Sequence, residues 1–259
     1  MPGARGDGVR LLDLFCGAGG AAMGYHRAGF EVVGVDHLPQ PHYPFEFHQA
    51  DAMTYPLDGF DAIHASPPCQ AYSVLNAFIR RDYPELIEPV RQRAEGLPLV
   101  IENVVGAPLR EPLLLCGQMF GLRLFRHRLF ELPFFALQPG HTHGRWRAPR
   151  RGKGNVVPQE GEVWSPTGHM ADWPNAARAM GICWMGKRQE VAEAIPPAYT
   201  YYVGCKLMVY LGHEDPFVYG GWLSEETLRA GALQRPLQEG AESRDGGLTR
   251  PEPQAEAAS

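Results

Sequence analysis

Residues 9–36 write out one full step of an α/β fold. An apolar run, Val9 to Phe15, ends in Asp-Leu-Phe and leads into Cys-Gly-Ala-Gly-Gly. A stretch with helical composition follows, Ala21 to Ala28, and then a second apolar run, Glu31 to Asp36, that closes on an acid. Strand, glycine turn, helix and strand, with an acid about 20 residues past the glycines, is the arrangement that dinucleotide and nucleoside sites require. The glycines let backbone N–H groups approach a ligand closely, and Asp36 can accept two ribose hydroxyls. The spacing is not Gly-x-Gly-x-x-Gly and there is no Walker lysine. A ligand carrying a ribose and an amino acid therefore fits better than a pyrophosphate. A plain strand-to-helix turn would use the same glycines.

The alternation continues. His48 to Asp51 reads as the end of a third strand that brings Asp51 to the same sheet edge. There it would either accept a hydrogen bond from an adenine amino group or cap a surface turn. Phe60 to Ala65 is a short apolar run, a fourth strand, broken by Pro67 and Pro68. The prolines fix their own φ angles and push the preceding residues into extended geometry, so Cys69 sits on a stiff loop at the strand's C-terminal end. That end is where chemistry collects in open α/β sheets. A fixed cysteine there is a candidate nucleophile, provided its thiolate forms; free cysteines are also commonly small buried hydrophobes. Asp82 to Glu95 has helical spacing with Pro89 in its middle. Leu99 to Val104 is a fifth strand carrying Glu102 and Asn103, and Glu102 would be costly there if buried without a partner. These alternating elements predict an α/β fold with a doubly wound, mostly parallel sheet.

After Pro112 the pattern changes. Leu113 to Cys116 is apolar, and alternation in Leu124 to Leu132 places Arg126 and Arg128 on one face of a strand. Gln138 to Asp172 is rich in Gly, Pro, Arg and His, with Trp146 and Trp164, and reads as an extended loop region. Trp173 to Met180, Lys187 to Ala194 and Ala198 to Leu211 read as helices. Beyond Gly220 the composition predicts disorder.

The net charge of −5 argues at first against a nucleic-acid partner. From Leu211 onward, however, nine acids face four arginines, so the tail accounts for the whole imbalance. Gly121 to Lys153 holds eight Lys/Arg and one acid, Glu131. Such a stripe suits phosphate contacts, and a solvated loop equally well. No apolar run is long enough to span a membrane, and the first residues lack an apolar signal core, so a cytoplasmic protein is expected. Five cysteines without paired spacing and without a Cys-x-x-Cys motif predict reduced thiols and no metal site.

Five motifs in order resemble those of the cytosine-5 methyltransferase family that uses S-adenosylmethionine. They are Asp-Leu-Phe-Cys-Gly-Ala-Gly-Gly at 13–20, Ser-Pro-Pro-Cys-Gln at 66–70, Glu-Asn-Val at 102–104, Arg-His-Arg at 126–128 and Ala-Ile-Pro-Pro-Ala-Tyr at 194–199. The resemblance runs from about Val9 to Leu211 and implies a Rossmann-like class I methyltransferase fold. It also implies Cys69 as nucleophile toward cytosine C6, Glu102 as the acid at N3, and Arg126 and Arg128 as groups orienting the base. The cofactor site it implies comprises Asp13, Phe15, Cys16, Gly17, Ala18, Gly19 and Gly20, with Asp36 for the ribose, Asp51 for the adenine, and His37, Ala52 and Pro67 beside them. The implied partner is double-stranded DNA with the target cytosine flipped out, acted on by a monomer. Where many relatives carry glutamate this chain has Asp36, and where they carry Gly-Asn before the paired prolines it has Glu193 and Ala194. The expected organisation is a catalytic domain over 1–132, a short target-recognition region over 133–172, returning helices over 173–211 and an acidic tail over 212–259. The same chemistry on RNA or on a free cytidine nucleotide, or a catalytically silent DNA-binding relative, remains compatible with these residues.

Overall fold

The computed structural model describes residues 8–72, 82–144, 147, 158, 161–165, 172–218 and 221. Most of the acidic tail expected to be disordered, together with Arg145, Trp146, Arg150, Arg151 and Lys153 of the basic stripe, falls outside these residues.

Seven strands form one sheet: β1 (Arg10–Leu14), β2 (Glu31–Asp36), β3 (Glu46–Gln49), β4 (Ala62–Ala65), β5 (Leu99–Asn103), β6 (Leu113–Leu115) and β7 (Arg128–Glu131), in the order β3-β2-β1-β4-β5-β7-β6. The first five strands are parallel, and β7 pairs antiparallel with both β5 and β6. The five described helices are α1 (Gly20–Arg27), α2 (Ile87–Arg93), α3 (Trp173–Ala179), α4 (Arg188–Glu193) and α5 (Pro197–Tyr210). The order reverses direction between β1 and β4, which creates the crevice where open α/β sheets bind ligands.

Both sheet faces are covered. Leu12, Leu14, Val33, Val35, Ile63, Ala65 and Ile101 pack in one apolar cluster with Ile87 and Val90 of α2. Leu11, Val32, Ala62 and Val100 point the other way, into the cluster built by α1 and α5. Period-2 alternation puts Asp13, His64 and Glu102 on that second face, so its apolar lining turns polar toward the C-terminal strand ends. Helix α5 lies directly on α1. A Cβ on Gly24 would stand 2.1 Å from the Thr200 hydroxyl and 2.3 Å from the Pro197 carbonyl, an approach that only glycine permits.

Three expectations are corrected. Helix α2 starts at Ile87, five residues later than the spacing suggests. Pro89 therefore falls in its first turn, where no intrahelical N–H bond is lost. Strand β3 ends at Gln49, which leaves Asp51 in the turn beyond it. Strand β7 starts at Arg128, so Arg126 precedes the strand and does not share a strand face with Arg128.

Candidate active site

A cavity of about 560 Å³ opens above the C-terminal ends of β1, β2, β4 and β5. One wall is backbone. After β1 the chain turns at Phe15, whose φ of 59° lies in the left-handed region that few aromatic residues occupy. The turn lets Cys16 N–H reach the Val35 carbonyl at 3.1 Å. Gly17, with φ 50°, then donates its N–H to Asp36 Oδ2 at 3.1 Å. The other Asp36 oxygen accepts from Leu38 N–H at 2.9 Å, so the carboxylate is fixed at the end of β2. Helix α1 starts here with its first N–H groups at the cavity, a setting favourable to a negatively charged ligand group. On the cavity floor Asp13 is fully buried; its Oδ1 has no hydrogen-bond partner, and burial holds its carboxyl well above the usual carboxylate range.

The opposite wall is built from side chains. Ser66 continues β4, its N–H bonded to the Leu14 carbonyl at 3.1 Å, and Pro67 and Pro68 lead to a half-buried Cys69 at the cavity rim. Asn103 donates from Nδ2 to the Pro67 carbonyl at 2.9 Å and fixes that loop from β5. Glu102, nearly inaccessible at 4 % exposure, faces the same cavity. Arg128 Nε stands 3.0 Å from its Oε1. The pairing explains the contact: Glu102 lies opposite Phe130 in the β5–β7 ladder, and Arg128 is the diagonal neighbour on the same face. Burial raises the Glu102 carboxyl above its ordinary range, against the pull of Arg128 and Arg126. Burial likewise raises the Cys69 thiol, with Arg128 opposing and Glu102 adding to the rise. Cys16, the other cysteine on the cavity wall, is buried and pushed far up by desolvation, which leaves Cys69 the better placed nucleophile.

Behind this wall runs a buried polar chain. His64 Nδ1 is 3.0 Å from the Tyr25 hydroxyl and its Nε2 is 2.9 Å from Ser66 Oγ. Ser66 in turn bonds the Glu102 carboxyl. Desolvation pushes His64 down to about 3, so its ring is neutral.

The returning segment closes the cavity. Trp184 donates its indole N–H to the Ala18 carbonyl at 2.9 Å. Glu190 of α4 accepts from Gly186 and Lys187 N–H groups and lies 2.8 Å from His42 Nδ1. Lys187, Gln189, Glu190 and Glu193 all line the cavity. The sequence offers no local signal for these four, because only the packing of α5 on α1 brings them there.

Of the residues predicted for the site, Asp13, Phe15, Cys16, Gly17, Ala18, Gly20, Asp36, His37, Pro67, Cys69, Glu102 and Arg128 line this cavity. Gly19, Asp51, Ala52 and Arg126 do not. Gly19 backs onto Tyr43 and Pro44. Asp51 is exposed and accepts Met53 N–H at 2.8 Å, capping its own turn, while Ala52 packs in the α2-side core. Arg126 points inward and donates to the Ala192 carbonyl at 2.7 Å, while its own carbonyl accepts the Tyr199 hydroxyl at 2.5 Å. Burial lowers its guanidinium to about 9.

An open sheet with a ligand crevice at its reversal point and a cysteine loop on the rim defines a class I, Rossmann-like methyltransferase fold. The Entamoeba histolytica methyltransferase EhMeth has a similar fold, with a TM-score of 0.53 at 12% identity over 80% of this chain and 98% of that one. Residues 9–78 match the family described as C-5 cytosine-specific DNA methylase. The chain is 30% identical over 122 residues to the type II methyltransferase M.AquIA of Picosynechococcus, covering 38% of this chain and 49% of that protein. It is 31% identical over 107 residues to the type II methyltransferase M.AplI of Arthrospira platensis, covering 36% and 27%. The matched segments thus span about half or less of the curated relatives. The likeness to cytosine-5 DNA methyltransferases rests on residues 9–78 for the family model and on these partial matches for the relatives.

Proposed function

We propose that this protein methylates carbon 5 of cytosine in DNA, taking the methyl group from S-adenosylmethionine. The observation that carries the reading is the meeting of Cys69, Glu102 and Arg128 on one wall of a cavity whose other wall is a glycine turn with Asp36. The cavity's residues fit the cofactor. The α1 N-terminus suits its carboxylate, the partnerless buried oxygen of Asp13 suits its ammonium, Asp36 suits its ribose, and the acidic lining suits a sulfonium. When bound, S-adenosylmethionine supplies an electrophilic methyl group.

The chain's own residues do the rest. Cytosine C5 is a poor nucleophile until a thiolate adds at C6, and Cys69 is placed for that addition. Electron density then moves toward N3, where Glu102 meets it as the acid; burial raises its carboxyl, which favours the protonated form. Arg128 steadies Glu102 and favours the Cys69 thiolate. A base, water or hydroxide, takes the C5 proton, and the electrons of that C–H bond re-form the C5–C6 double bond and expel Cys69 as thiolate. In duplex DNA the base must leave the stack to reach this wall, at a cost of a few kcal/mol.

The test is transfer of labelled methyl from S-adenosylmethionine to duplex DNA, RNA and dCMP by the wild type and by Cys69→Ala. Label on carbon 5 of DNA cytosine, reduced at least about a thousandfold in the variant, is expected. Label confined to RNA or dCMP, or undiminished in the variant, overturns the proposal.

A further inference from the structure

Four side chains outside the catalytic cavity converge on one point: Cys116, at the end of β6; His127, just before β7; and His141 and His143, from the segment after it. Their ligand atoms all lie within 4.8 Å of one another. His127 and His141 bring their Nε2 atoms to 3.2 Å, and His141 and His143 theirs to 3.0 Å. Cys116 Sγ is 3.7 Å from His143 Nε2.

Hydrogen bonding alone explains this cluster poorly. A neutral imidazole nitrogen either donates or accepts. His141 Nε2 stands between two other Nε2 atoms, and its single hydrogen can serve only one of them. Full protonation would set three like charges together. A shared cation satisfies every nitrogen at once. In a tetrahedral zinc site, bond lengths of about 2.0–2.1 Å to nitrogen and 2.3 Å to sulfur put neighbouring nitrogens about 3.3 Å apart and sulfur and nitrogen about 3.6 Å apart. The 3.2, 3.0 and 3.7 Å separations lie close to those edges. Phe125 stacks on His143, with ring centroids 4.0 Å apart and planes 28° apart, and so helps hold that ring in its ligating orientation.

We infer that Cys116, His127, His141 and His143 form a structural zinc site of the one-thiolate, three-imidazole type. One soft and three borderline ligands in a tetrahedron suit zinc, and four protein ligands leave no open position for catalysis. No Cys-x-x-Cys motif announces such a site: the ligands are spread over 28 residues and meet when β6 and β7 pair. The ion's place in the fold gives its task. His127 lies between Arg126, which anchors to α4's Ala192, and Arg128, which meets Glu102. Zinc would pin that segment and staple residues 141–143 to the sheet edge.

The experiment is elemental analysis of the full chain, purified without a histidine tag, as isolated and after equilibration with zinc chloride and desalting. About one zinc per chain is expected in the wild type and in His213→Ala, and less than about a tenth of that in Cys116→Ala and His141→Ala. Replacement by cobalt gives a second readout that needs no folded variant: tetrahedral d–d bands with a thiolate charge-transfer band. No retained zinc before or after equilibration overturns the site, as does full zinc content in both ligand variants. Bound cobalt without the thiolate band overturns the assignment of Cys116.

Discussion

The parallel side of the sheet, β3 to β5, and its antiparallel edge, β5-β7-β6, contribute to one cavity by different means. On the parallel side the groups come from places that the fold itself fixes: the turn after β1, the end of β2 and the start of α1. Its chemistry is largely backbone N–H groups and two carboxylates, Asp13 and Asp36, the latter tied down by two of those N–H groups. At the antiparallel edge the groups are side chains held by other side chains, with Arg128 on Glu102 and Arg91 forked onto Glu131 at 2.8 and 2.7 Å. The parallel side should therefore yield to changes that separate its layers. The edge should yield to changes of a single functional group that leave the fold intact.

Substitutions can break this division. Glu102→Ala should lower methyl transfer about a thousandfold while cofactor affinity stays within a few fold, as single-turnover assays and calorimetry would show. A large loss of cofactor affinity would mean that the two sides are not separable. Gly24→Ala should destabilise the fold by about 2–3 kcal/mol, because the added methyl meets the backbone of α5. Thermal melts should fall by about 2–4 °C per kcal/mol, with the residual folded enzyme keeping its turnover. Arg128→Lys keeps the charge but loses the planar fork, and should cost about tenfold in kcat with an unchanged melting temperature.

A last prediction concerns pH. Burial pushes His64 down to about 3, whereas in the unfolded chain it takes a proton near 6.5. Between those values the unfolded state binds the extra proton. Stability is therefore intact above about 6.5 and declines as pH falls toward 3, by up to about 1.4 kcal/mol per pH unit. Melts of wild type and His64→Gln at pH 7 and pH 5 should show the smaller acid loss in the variant. An equal loss would assign the acid sensitivity to other groups.

The same two regions differ in how far they can be read from sequence. On the parallel side, strand periodicity, glycines and a terminal acid are local signals, and β1, α1, β2, β4 and β5 fall where the patterns place them. Cys69 and Glu102 could be singled out because one follows β4 by four residues and the other lies near the end of β5, and strand ends are where ligands collect in this fold. Asp51 was misplaced by two residues of strand length. Arg126 was assigned to a strand that had not yet begun, and its destination beside Ala192 depends on a helix 66 residues away. Lys187, Gln189, Glu190 and Glu193 reach the cavity through long-range packing, for which no local pattern exists. The Cys116 and histidine cluster escaped for the same reason.

The closing of the cavity by α4 and by Trp184 on the Ala18 carbonyl has a consequence for the order of events during biosynthesis. When the ribosome has made β1 through β7, the Cys69 loop and the glycine turn already exist, but the wall from Lys187 to Ile195 does not. Nor does α5, which covers the apolar face of α1. A nascent chain at that stage has Cys69 yet lacks an enclosed pocket. Competence should arrive late, in a single step, when the last helix docks on the first.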